Sequence, residues 1–584
     1  MNSRYFIACS IGLIWIGVFG GCGGGITSGG GGGGDFSVGG TADLASANGD
    51  LASSDLSMAA QNDLSMTGDL ATSIDLSMTP DLASPPDLTV IPDLASPPDL
   101  TVIPDMAIAP VYVIQHHRNN SRDGLYSDPA FTKAKAATLH RDLTFTAMMQ
   151  GPTYAQPLYF ENGPNGKALL IVATEQNLVY AFDAANGNVV WQVLLRPPVP
   201  LANLPCGDIN PLGVTGTPYI DVASRTIYVA AMTTPDGGTT KRHLIFALSV
   251  DNGQTKNGWP VDVTAKVKFN NLSFDSSVEN QRGALQVVNG TLYVPYGGHY
   301  GDCGVYHGWV VGVPVANPAI PMGWATRAQG GGIWAPGGLS SDGTAVFAAT
   351  GNTFGANVWS DGEAIIRLNP GPLFSQQPID YFTPANWQQL DNADTDIGGS
   401  GPLLVDVAGA TPSKLVVGLG KDGNMYLLDR SNLGGIGKQV AVKRVASGVI
   451  INAAAAYTTA KGTFVAFRGA GVGCPNGAAG DLVGVQITPA NPPGINVVWC
   501  ATQNGRGSPM VTTTDGTSEA VVWGIGAEND NRLHGFDGET GAVIFNGGNV
   551  NDQMSQVRRF NTAIAARGRI YVAADNQLYA FKTN

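Results

Sequence analysis

Charged side chains are scarce in this 584-residue chain, at 13% of all residues, and basic ones are scarcer than acidic ones. The 32 Lys and Arg residues stand against 45 Asp and Glu residues, which gives a formal net charge of −13. Binding to a phosphate backbone needs clustered Lys and Arg side chains. The charge balance therefore argues against a nucleic-acid partner.

Several signatures are also missing. After the N-terminus, no stretch reaches the length of about 18 apolar residues that a membrane-spanning helix needs. The sequence shows no CxxCH motif for covalent haem, no Ser-His-Asp arrangement and no P-loop. These absences predict no internal membrane span, no fused c-type cytochrome and no P-loop nucleotide site.

Residues 1–22 have the features of a lipoprotein signal peptide. Arg4 supplies a positive start, an apolar run ends at Phe19, and two glycines precede Cys22. Phe19 stands where the lipoprotein motif usually has Leu. We expect lipidation of Cys22, with an ordinary signal peptide cleaved just before it as the alternative. Gly23 after the cysteine resembles outer-membrane sorting, so we expect an exported outer-membrane lipoprotein that faces the periplasm or the surface.

Residues 23–109 are of low complexity. A Gly run is followed by recurring Asp-Leu pairs, the string PPDLTVIPD occurs twice, and no aromatic residue lies between Phe36 and Tyr112. Such a segment buries too little apolar surface to offset its chain entropy. We interpret it as a disordered acidic linker, stiffened by Pro near its end. Calcium binding by the regular Asp residues is the weaker alternative, because no coordinating loop is formed.

A repeated hairpin fills the rest of the chain. In Gln176–Trp191 a strand leads into an Asp-x-x-x-Gly turn and a second strand that ends on Trp. A single hairpin cannot bury its apolar face, so copies are expected. Copies of its first strand lie at Gly423–Asp429, Asn531–Asp537 and Asn576–Phe581. With 78 Gly residues and many short apolar runs, the composition favours an all-β protein.

This hairpin resembles the repeat of the quinoprotein propellers, which include pyrroloquinoline quinone (PQQ) dehydrogenases and non-catalytic outer-membrane assembly lipoproteins. The resemblance implies an all-β, eight-bladed propeller over residues 110–584, with seven blades as the alternative. The run Leu143–Met148 is placed to complete the last blade and close the ring, since the chain ends at Asn584 without an outer strand. The eight units lie near Leu169–Trp191, Thr226–Asp251, Thr291–Val313, Ala345–Leu368, Lys414–Asp429, Thr463–Val485, Ala520–Phe536 and Arg569–Phe581.

Four cysteines remain in the predicted propeller, and an even number in an exported domain suggests disulfides. We expect Cys474 to pair with Cys500 inside one blade. Cys206 and Cys303 fall in loops of neighbouring blades and form the second expected pair. A zinc site is the alternative, although no CxxC or His spacing supports it.

The resemblance also implies a site above the propeller axis. Quinoprotein dehydrogenases need an aromatic floor, a cation near the quinone oxygens, a hard metal ion and a carboxylate base. Trp334 follows a Gly run like the family's stacking Trp, and Asn352 ends a Thr-Gly-Asn string like the family's calcium-binding Asn. Asp394 matches the family's catalytic base and is a candidate calcium ligand. Lys421 matches the cation that polarises the quinone carbonyl.

Each of these residues also has a structural interpretation. Trp334 could pack a blade, Asn352 could satisfy a turn, and Lys421 could be a solvated turn residue. Asp394 and Asp396 could cap the blade as a pair of turn residues. Alternation along an extended segment places these two carboxylates on one side, where they would share a cation or raise one pKa.

Other parts of the family pattern are missing. The adjacent cysteines of the methanol and ethanol dehydrogenases are replaced by the single Cys206. The expected calcium-binding Glu has no match near His299, a poor calcium ligand, although Asp302 could act as a hard oxygen ligand. The family's Glu before the first blade and its Arg after the cysteine pair have no clear match either.

Two polar clusters lie outside this pattern. Adjacent side chains on a strand face opposite ways, so joint chelation by His116 and His117 is not expected. We interpret them as part of a polar loop that opens the globular region. Arg282 is a candidate axis-facing residue, for which we favour a structural role.

Two functions remain open from the sequence. The first is an envelope lipoprotein whose degenerate quinoprotein pocket binds a small molecule, an envelope polymer or a partner protein. The second is a PQQ- and calcium-dependent alcohol or polyol dehydrogenase. Trp334, Asn352, Asp394 and Lys421 favour the enzyme, while the missing Glu, Arg and adjacent cysteines oppose it.

Overall fold

A computed structural model describes residues 109–584. The expected signal peptide, the lipidation of Cys22 and the low-complexity linker up to residue 108 lie outside the described residues and stay predictions. Within the described residues, no helix has both the length and the apolar character to cross a membrane.

The described chain forms the predicted eight-bladed β-propeller, and the seven-blade alternative is wrong. Blade 1 consists of Leu158–Phe160, Leu169–Ala173, Leu178–Asp183 and Val189–Leu194. Blade 2 consists of Tyr219–Asp221, Thr226–Thr233, Arg242–Ser249 and Val261–Asp262. Blade 3 consists of Glu279–Asn280, Gln286–Val288, Thr291–Gly298, Trp309–Pro314 and Met322–Ala325. Blade 4 consists of Ser340–Ser341, Val346–Thr350, Ala364–Leu368 and Tyr381–Thr383, joined by Gly435–Ile436.

The second half of the ring repeats this plan. Blade 5 consists of Leu403–Asp406, Lys414–Leu419, Asn424–Asp429 and Ala441–Arg444. Blade 6 consists of Ala455–Thr459, Gly462–Arg468, Leu482–Thr488 and Gly494–Ala501. Blade 7 consists of Met510–Thr513, Val521–Ile525, Leu533–Asp537 and Val543–Asn546. Blade 8 contains Ile564–Ala566, Arg569–Ala574 and Gln577–Lys582.

Short elements connect or flank the blades. A small hairpin is formed by Lys268–Phe269 and Leu272–Ser273. The α-helices are Lys133–Ala136, Val263–Lys266 and Trp387–Asn392. The 3-10 helices are Pro164–Gly166, Leu201–Asn203, Pro378–Asp380, Ile397–Gly399, Pro475–Gly477 and Val550–Asp552.

The predicted hairpin turn has a simple physical basis. In blade 1, the Asp183 carboxylate accepts a hydrogen bond from the Ala185 N–H at 3.0 Å, and Gly187 takes a φ of 83°. In blade 7, Asp537 accepts from the Glu539 N–H at 2.9 Å, and Gly541 takes a φ of 71°. Asp closes the turn with its side chain and Gly supplies the left-handed backbone conformation, so the spacing of these two residues defines the turn.

The Trp that ends the hairpin joins neighbouring blades. The Trp191 indole N–H of blade 1 donates to the Val250 carbonyl of blade 2 at 2.8 Å. The Trp499 indole of blade 6 likewise donates to the Gly538 carbonyl of blade 7 at 2.9 Å. Buried apolar clusters fill each interface between successive blades, including the one from blade 8 to blade 1. The core is therefore divided into wedges around the ring.

Both ends of the described chain build blade 8. Its last strand, Gln577–Lys582, pairs with His140–Arg141 and Ala147–Met148 from the N-terminal side. This confirms the predicted closure, although only Ala147–Met148 of the expected run Leu143–Met148 pairs, and the other pairing strand, His140–Arg141, precedes that run. The N-terminal strands cover an edge that would otherwise be open to another chain.

A segment before blade 1 passes the first strand of every blade. Residues 112–128, which we call the plug, pair with blade 1 through Tyr112–Val113 and with blade 7 through Leu125–Ser127. Backbone N–H groups of blades 2, 4, 5 and 6 donate to plug carbonyls at 2.7–3.0 Å. The Gly568 N–H of blade 8 donates to Asp128 at 2.7 Å. Residues 115–121 form turns and bends, in agreement with the sequence-based interpretation of a polar loop, and this loop lies inside the ring.

Arg122 links the plug to blade 3, its remaining partner. The buried guanidinium donates to the carbonyls of Leu285 in blade 3, Leu339 before blade 4 and His116 in the plug, at 3.1, 2.8 and 2.8 Å. It also donates to the Gln115 side chain at 3.1 Å. Because carbonyl oxygens buried without donors are costly, this one side chain stabilises several backbone segments at once.

We predict that Arg122→Met lowers the free energy of unfolding by about 3–5 kcal/mol, since it leaves several buried acceptors unpaired. Arg118→Met is the matched control in the same segment. Arg118 is half-buried and donates one bond, to the Leu125 carbonyl at 3.1 Å, so a loss of about 1 kcal/mol is expected. Urea unfolding followed by circular dichroism measures both. Equal losses in the two variants would contradict the role of Arg122 as a link between blades.

Candidate functional site

A cavity of about 370 Å³ lies on the propeller axis, walled by loops from around the ring and by the plug. This size is in the range of small-molecule sites. Its polar and charged lining residues are His116, Tyr154, Asp208, Thr215, Thr217, Arg282, His299, Tyr300, Asp302, Asp394, Lys421 and Arg559. Four of the sequence-predicted site residues therefore meet in one place, namely Asp302, Trp334, Asp394 and Lys421.

Trp334 lies on a platform of three glycines. A Cβ added at Gly351 would lie 2.6 Å from Trp334 Cζ2, and one at Gly297 would lie 3.0 Å from Cε3. A Cβ at Gly332 would overlap the ring outright. The glycines let the half-buried indole lie against the backbone while it lines the cavity. The residue thus offers a planar aromatic surface to a ligand.

Lys421 is held between two carboxylates at the cavity wall. Its ammonium lies 2.9 Å from the Asp394 carboxylate and also contacts Asp396. The Asp394 side chain is 65% exposed, whereas that of Asp396 is fully buried. The two carboxylates converge as predicted, but not along an extended strand, because Asp394 has a φ of 51° and Asp396 precedes a 3-10 helix.

A second buried acid lies behind this ion pair. Burial, and then the charge of Asp396, raise the pKa of Glu363 well above its ordinary value. Burial also raises the pKa of Asp396, although Lys421 opposes the shift. The Asn352 N–H donates to Asp396 at 2.7 Å, while the Asn352 amide oxygen is buried without a partner among the described residues. Asn352 therefore lies next to the site, but it is not among the residues that line the cavity.

Arg282 brings an unpaired cation to the cavity. Its Nε atom is buried, and no side chain or backbone group of residues 109–584 accepts a hydrogen bond from it. Burial lowers the pKa of Arg282, while Asp208 and Asp302 oppose the shift from a distance. Arg559, by contrast, contacts Glu528 at 2.9 Å and Asp208 at 3.8 Å. Arg282 thus lines the cavity with a donor for which residues 109–584 supply no acceptor, and whether its role is structural stays a prediction.

A disulfide ties two rim loops together. Cys206 is bonded to Cys303, with Cα atoms 6.0 Å apart, and a second disulfide joins Cys474 to Cys500. The first bond links the loop that carries Asp208 to the loop that carries Asp302. The Tyr306 hydroxyl donates to Asp302 at 2.7 Å, so this carboxylate is also already paired.

The plug supplies His116 to the cavity. Its ring stacks on that of His117 with centroids 4.3 Å apart and an angle of 26° between the planes. The two rings do not face opposite ways, because His117 has a φ of 52° and the segment is not extended there. Sequence reasoning missed His116 and Arg559 as cavity residues, and no local pattern marks either of them.

The cavity fits a planar quinone better than it fits calcium. Trp334 offers a stacking surface and Arg282 a free donor, as a flat molecule with acidic and carbonyl oxygens requires. For calcium, the described residues contain no group of three His, Cys, Asp or Glu side chains placed to hold a metal ion. Lys421 already neutralises Asp394 and Asp396, and Asp302 is bound to Tyr306. This donor set fits calcium poorly.

Comparison with known proteins places the fold. No protein-family model and no curated protein matches the chain. Among solved structures, the quinohemoprotein alcohol dehydrogenase from Comamonas testosteroni matches with a TM-score of 0.52 and 15% identity, over 80% of each chain. The chain has the quinoprotein dehydrogenase propeller fold. A europium-containing methanol dehydrogenase matches with a TM-score of 0.51 and 13% identity, over 81% of this chain and 98% of that one.

BamB from Moraxella catarrhalis also matches, with a TM-score of 0.42 and 12% identity, over 76% of this chain and 99% of that one. The predicted resemblance to quinoprotein propellers is confirmed at the level of the fold. At these identities the likeness says nothing about activity.

We predict that Gly332→Ala displaces the Trp334 indole and lowers the free energy of unfolding by about 1–3 kcal/mol, because the added methyl group overlaps the ring. Gly448→Ala is the matched control, since its Cβ would have no neighbour within 4 Å. Near-ultraviolet circular dichroism reports the indole, and urea unfolding reports stability. Identical spectra and stabilities for the two variants would contradict the glycine platform.

Proposed function

We propose that the protein is an envelope lipoprotein whose propeller binds a planar, oxygen-rich small molecule of the PQQ kind in its axial cavity. The observation that carries this proposal is the pairing of a cavity-facing indole, Trp334, with the Arg282 guanidinium, whose Nε finds no acceptor in residues 109–584. Stacking and a charge-assisted hydrogen bond are the two interactions that a flat acid needs.

The charges of the lining support the same conclusion. Three acidic and three basic side chains line the cavity, so its formal charge is balanced. The acids, however, all contact protein donors: Asp394 contacts Lys421, Asp302 contacts Tyr306 and Asp208 contacts Arg559. Arg282 is left to attract an anion. A partly desolvated guanidinium gains most from such a partner.

The envelope part of the proposal depends on the sequence. Cys22 at the end of an apolar run would carry the lipid anchor, and residues 23–109 would hold the propeller away from the outer membrane. The two disulfides agree with an exported protein. An envelope polymer or a partner protein bound by the propeller stays an alternative occupant.

Titration calorimetry with PQQ tests this proposal. We predict binding at one site per chain, weakened at least about tenfold by Trp334→Ala or by Arg282→Gln, which is a loss of about 1.4 kcal/mol each. Each titration is run with and without calcium, and a poor calcium site predicts a similar affinity in both.

The matched control is Arg225→Gln. Arg225, directly before the second strand of blade 2, forms a partly exposed ion pair with Asp251 and is not among the cavity-lining residues. Its removal should leave the affinity for PQQ unchanged. Absence of binding by the wild-type protein, or equal affinities for all variants, would reject the axial cavity as a PQQ site.

A second candidate function is alcohol oxidation. It is favoured by one observation, the exposed Asp394 carboxylate beside the Lys421 ammonium on the wall that Trp334 shares. PQQ, when bound, would supply a quinone that accepts two electrons from an alcohol. The Asp394 carboxylate would take the hydroxyl proton, and the Lys421 ammonium would stabilise the negative charge that develops nearby.

We predict that, if the protein is a dehydrogenase, Asp394→Ala abolishes alcohol-dependent dye reduction without unfolding the ring. The side chain is 65% exposed, so its loss should cost little stability. Asp396→Asn is the comparison, because this buried carboxylate holds Lys421 and the Asn352 N–H. Undiminished dye reduction by Asp394→Ala would remove Asp394 from the mechanism, and loss in Asp396→Asn alone would show that the reaction depends on the carboxylate that holds Lys421 and not on Asp394.

A further inference from the structure

One imidazole of the plug borders the axial cavity with an unpaired ring nitrogen. His116 is only 2% exposed, yet it lines the cavity. Its Nδ1 atom is buried and makes no hydrogen bond within residues 109–584. Buried polar atoms almost always have a partner. The ring therefore borders the cavity, and its buried Nδ1 atom is free to accept a proton.

The neighbouring histidine is held differently. The Nδ1 atom of His117 is 3.1 Å from the Arg122 carbonyl, and its backbone N–H donates to the Gln156 side chain at 2.9 Å. His117 does not belong to the lining of the cavity. These hydrogen bonds hold His117 outside the cavity lining, whereas the neighbouring His116 lines the axial cavity.

The surroundings of His116 keep it neutral. The pKa of His116 is lowered well below 6.5, mainly by burial and further by the charges of His117 and Arg122. The cavity also presents the cations Arg282, Lys421 and Arg559. The three cavity carboxylates, Asp208, Asp302 and Asp394, are already paired with protein donors. The lining residues therefore offer no free counter-charge to an imidazolium.

We propose that binding of an anionic ligand in the axial cavity is coupled to proton uptake by the His116 imidazole. The inference rests on the proposed function, because it requires the cavity to take an anion, and it adds pH regulation to that site. An anion beside the ring supplies the missing counter-charge and favours the protonated form. The complex then holds more protons than the free protein. Binding accordingly tightens as the pH falls, by up to about tenfold per pH unit below the pKa of His116 in the complex.

Glu175 and His299 can also take up a proton when an anion binds. Burial raises the pKa of Glu175 to about 7, and it lies close to the lining residues Thr215 and Tyr154. His299 lines the cavity, and burial, followed by the charge of Arg282, lowers its pKa to about 4. An anion nearby would favour the protonated form of both groups, so these sources of proton uptake must be separated from His116 by substitution.

Calorimetry at pH 6 and pH 8, in pairs of buffers with different ionisation enthalpies, measures the protons taken up on binding. PQQ and isophthalate, a simple planar dicarboxylate, are the two probes. We predict uptake by the wild-type protein at pH 6 that is lost in His116→Asn and in His116→Gln. Uptake should persist in Glu175→Gln, in His299→Gln and in the control His140→Asn, on an N-terminal strand of blade 8.

The outcomes separate this inference from the proposed function. Binding of isophthalate with His116-dependent uptake, but no binding of PQQ, would reject the PQQ-type ligand alone. Uptake that survives both His116 variants, or that disappears in Glu175→Gln, would overturn the role of His116. Failure of both anions to bind at pH 6 would overturn that role as well.

The wild-type protein gives a readout that needs no variant. Nuclear magnetic resonance titration of the histidine Cε1–H signals should show one imidazole whose pKa rises when isophthalate is present. Imidazole titrations that are identical with and without isophthalate would overturn the proposal even if both His116 variants fail to fold.

Discussion

The axial cavity depends on the hydrogen bonds that the plug makes to the inside of the ring. A propeller leaves its first strands facing a central channel, where their free backbone groups need partners. Residues 112–128 supply those partners blade by blade, and Arg122 adds bonds to backbone carbonyls of blade 3 and of the turn before blade 4. Because the plug fills the channel at one level, the space above it is a closed-bottomed cavity rather than a pore.

The strands and hairpin turns repeat from blade to blade, whereas the loops between them differ. The Asp-x-x-x-Gly turn recurs in blades 1 and 7 and the inter-blade Trp in blades 1 and 6, because each serves the same purpose wherever it occurs. The loops that wall the cavity do not recur. Each contributes a few residues, so the chemistry of the site comes from residues far apart in sequence, such as Arg282 and Arg559, brought together by the ring.

The sequence predicted the blades and half of the site for a physical reason. Strand alternation and turn chemistry are local, so the blade count and the N-terminal closure could be inferred. Trp334 and Lys421 stood in family-like strings and do line the cavity. The plug could not be foreseen, because most of its bonds join backbone groups to strands far away in sequence and leave no residue pattern. His116 was missed for the same reason, and Arg282 was undervalued because the absence of a partner is visible only in three dimensions.

The pairing of the cavity carboxylates with protein donors decides which ligand the cavity can bind. In a site with free carboxylates, a hard cation would be the natural occupant. Here Lys421 is clamped by Asp394 and Asp396, and Asp208 and Asp302 face protein donors. Among the described residues, the lining groups with a buried, unpartnered polar atom are the Arg282 guanidinium, the imidazoles of His116 and His299, and the Thr215 hydroxyl. The guanidinium and the imidazoles gain from negative charge, and the nearby indole of Trp334 gains from a flat partner. The lining groups that are not engaged in ion pairs therefore determine the ligand preference of the cavity, and they favour a planar anion over a metal ion.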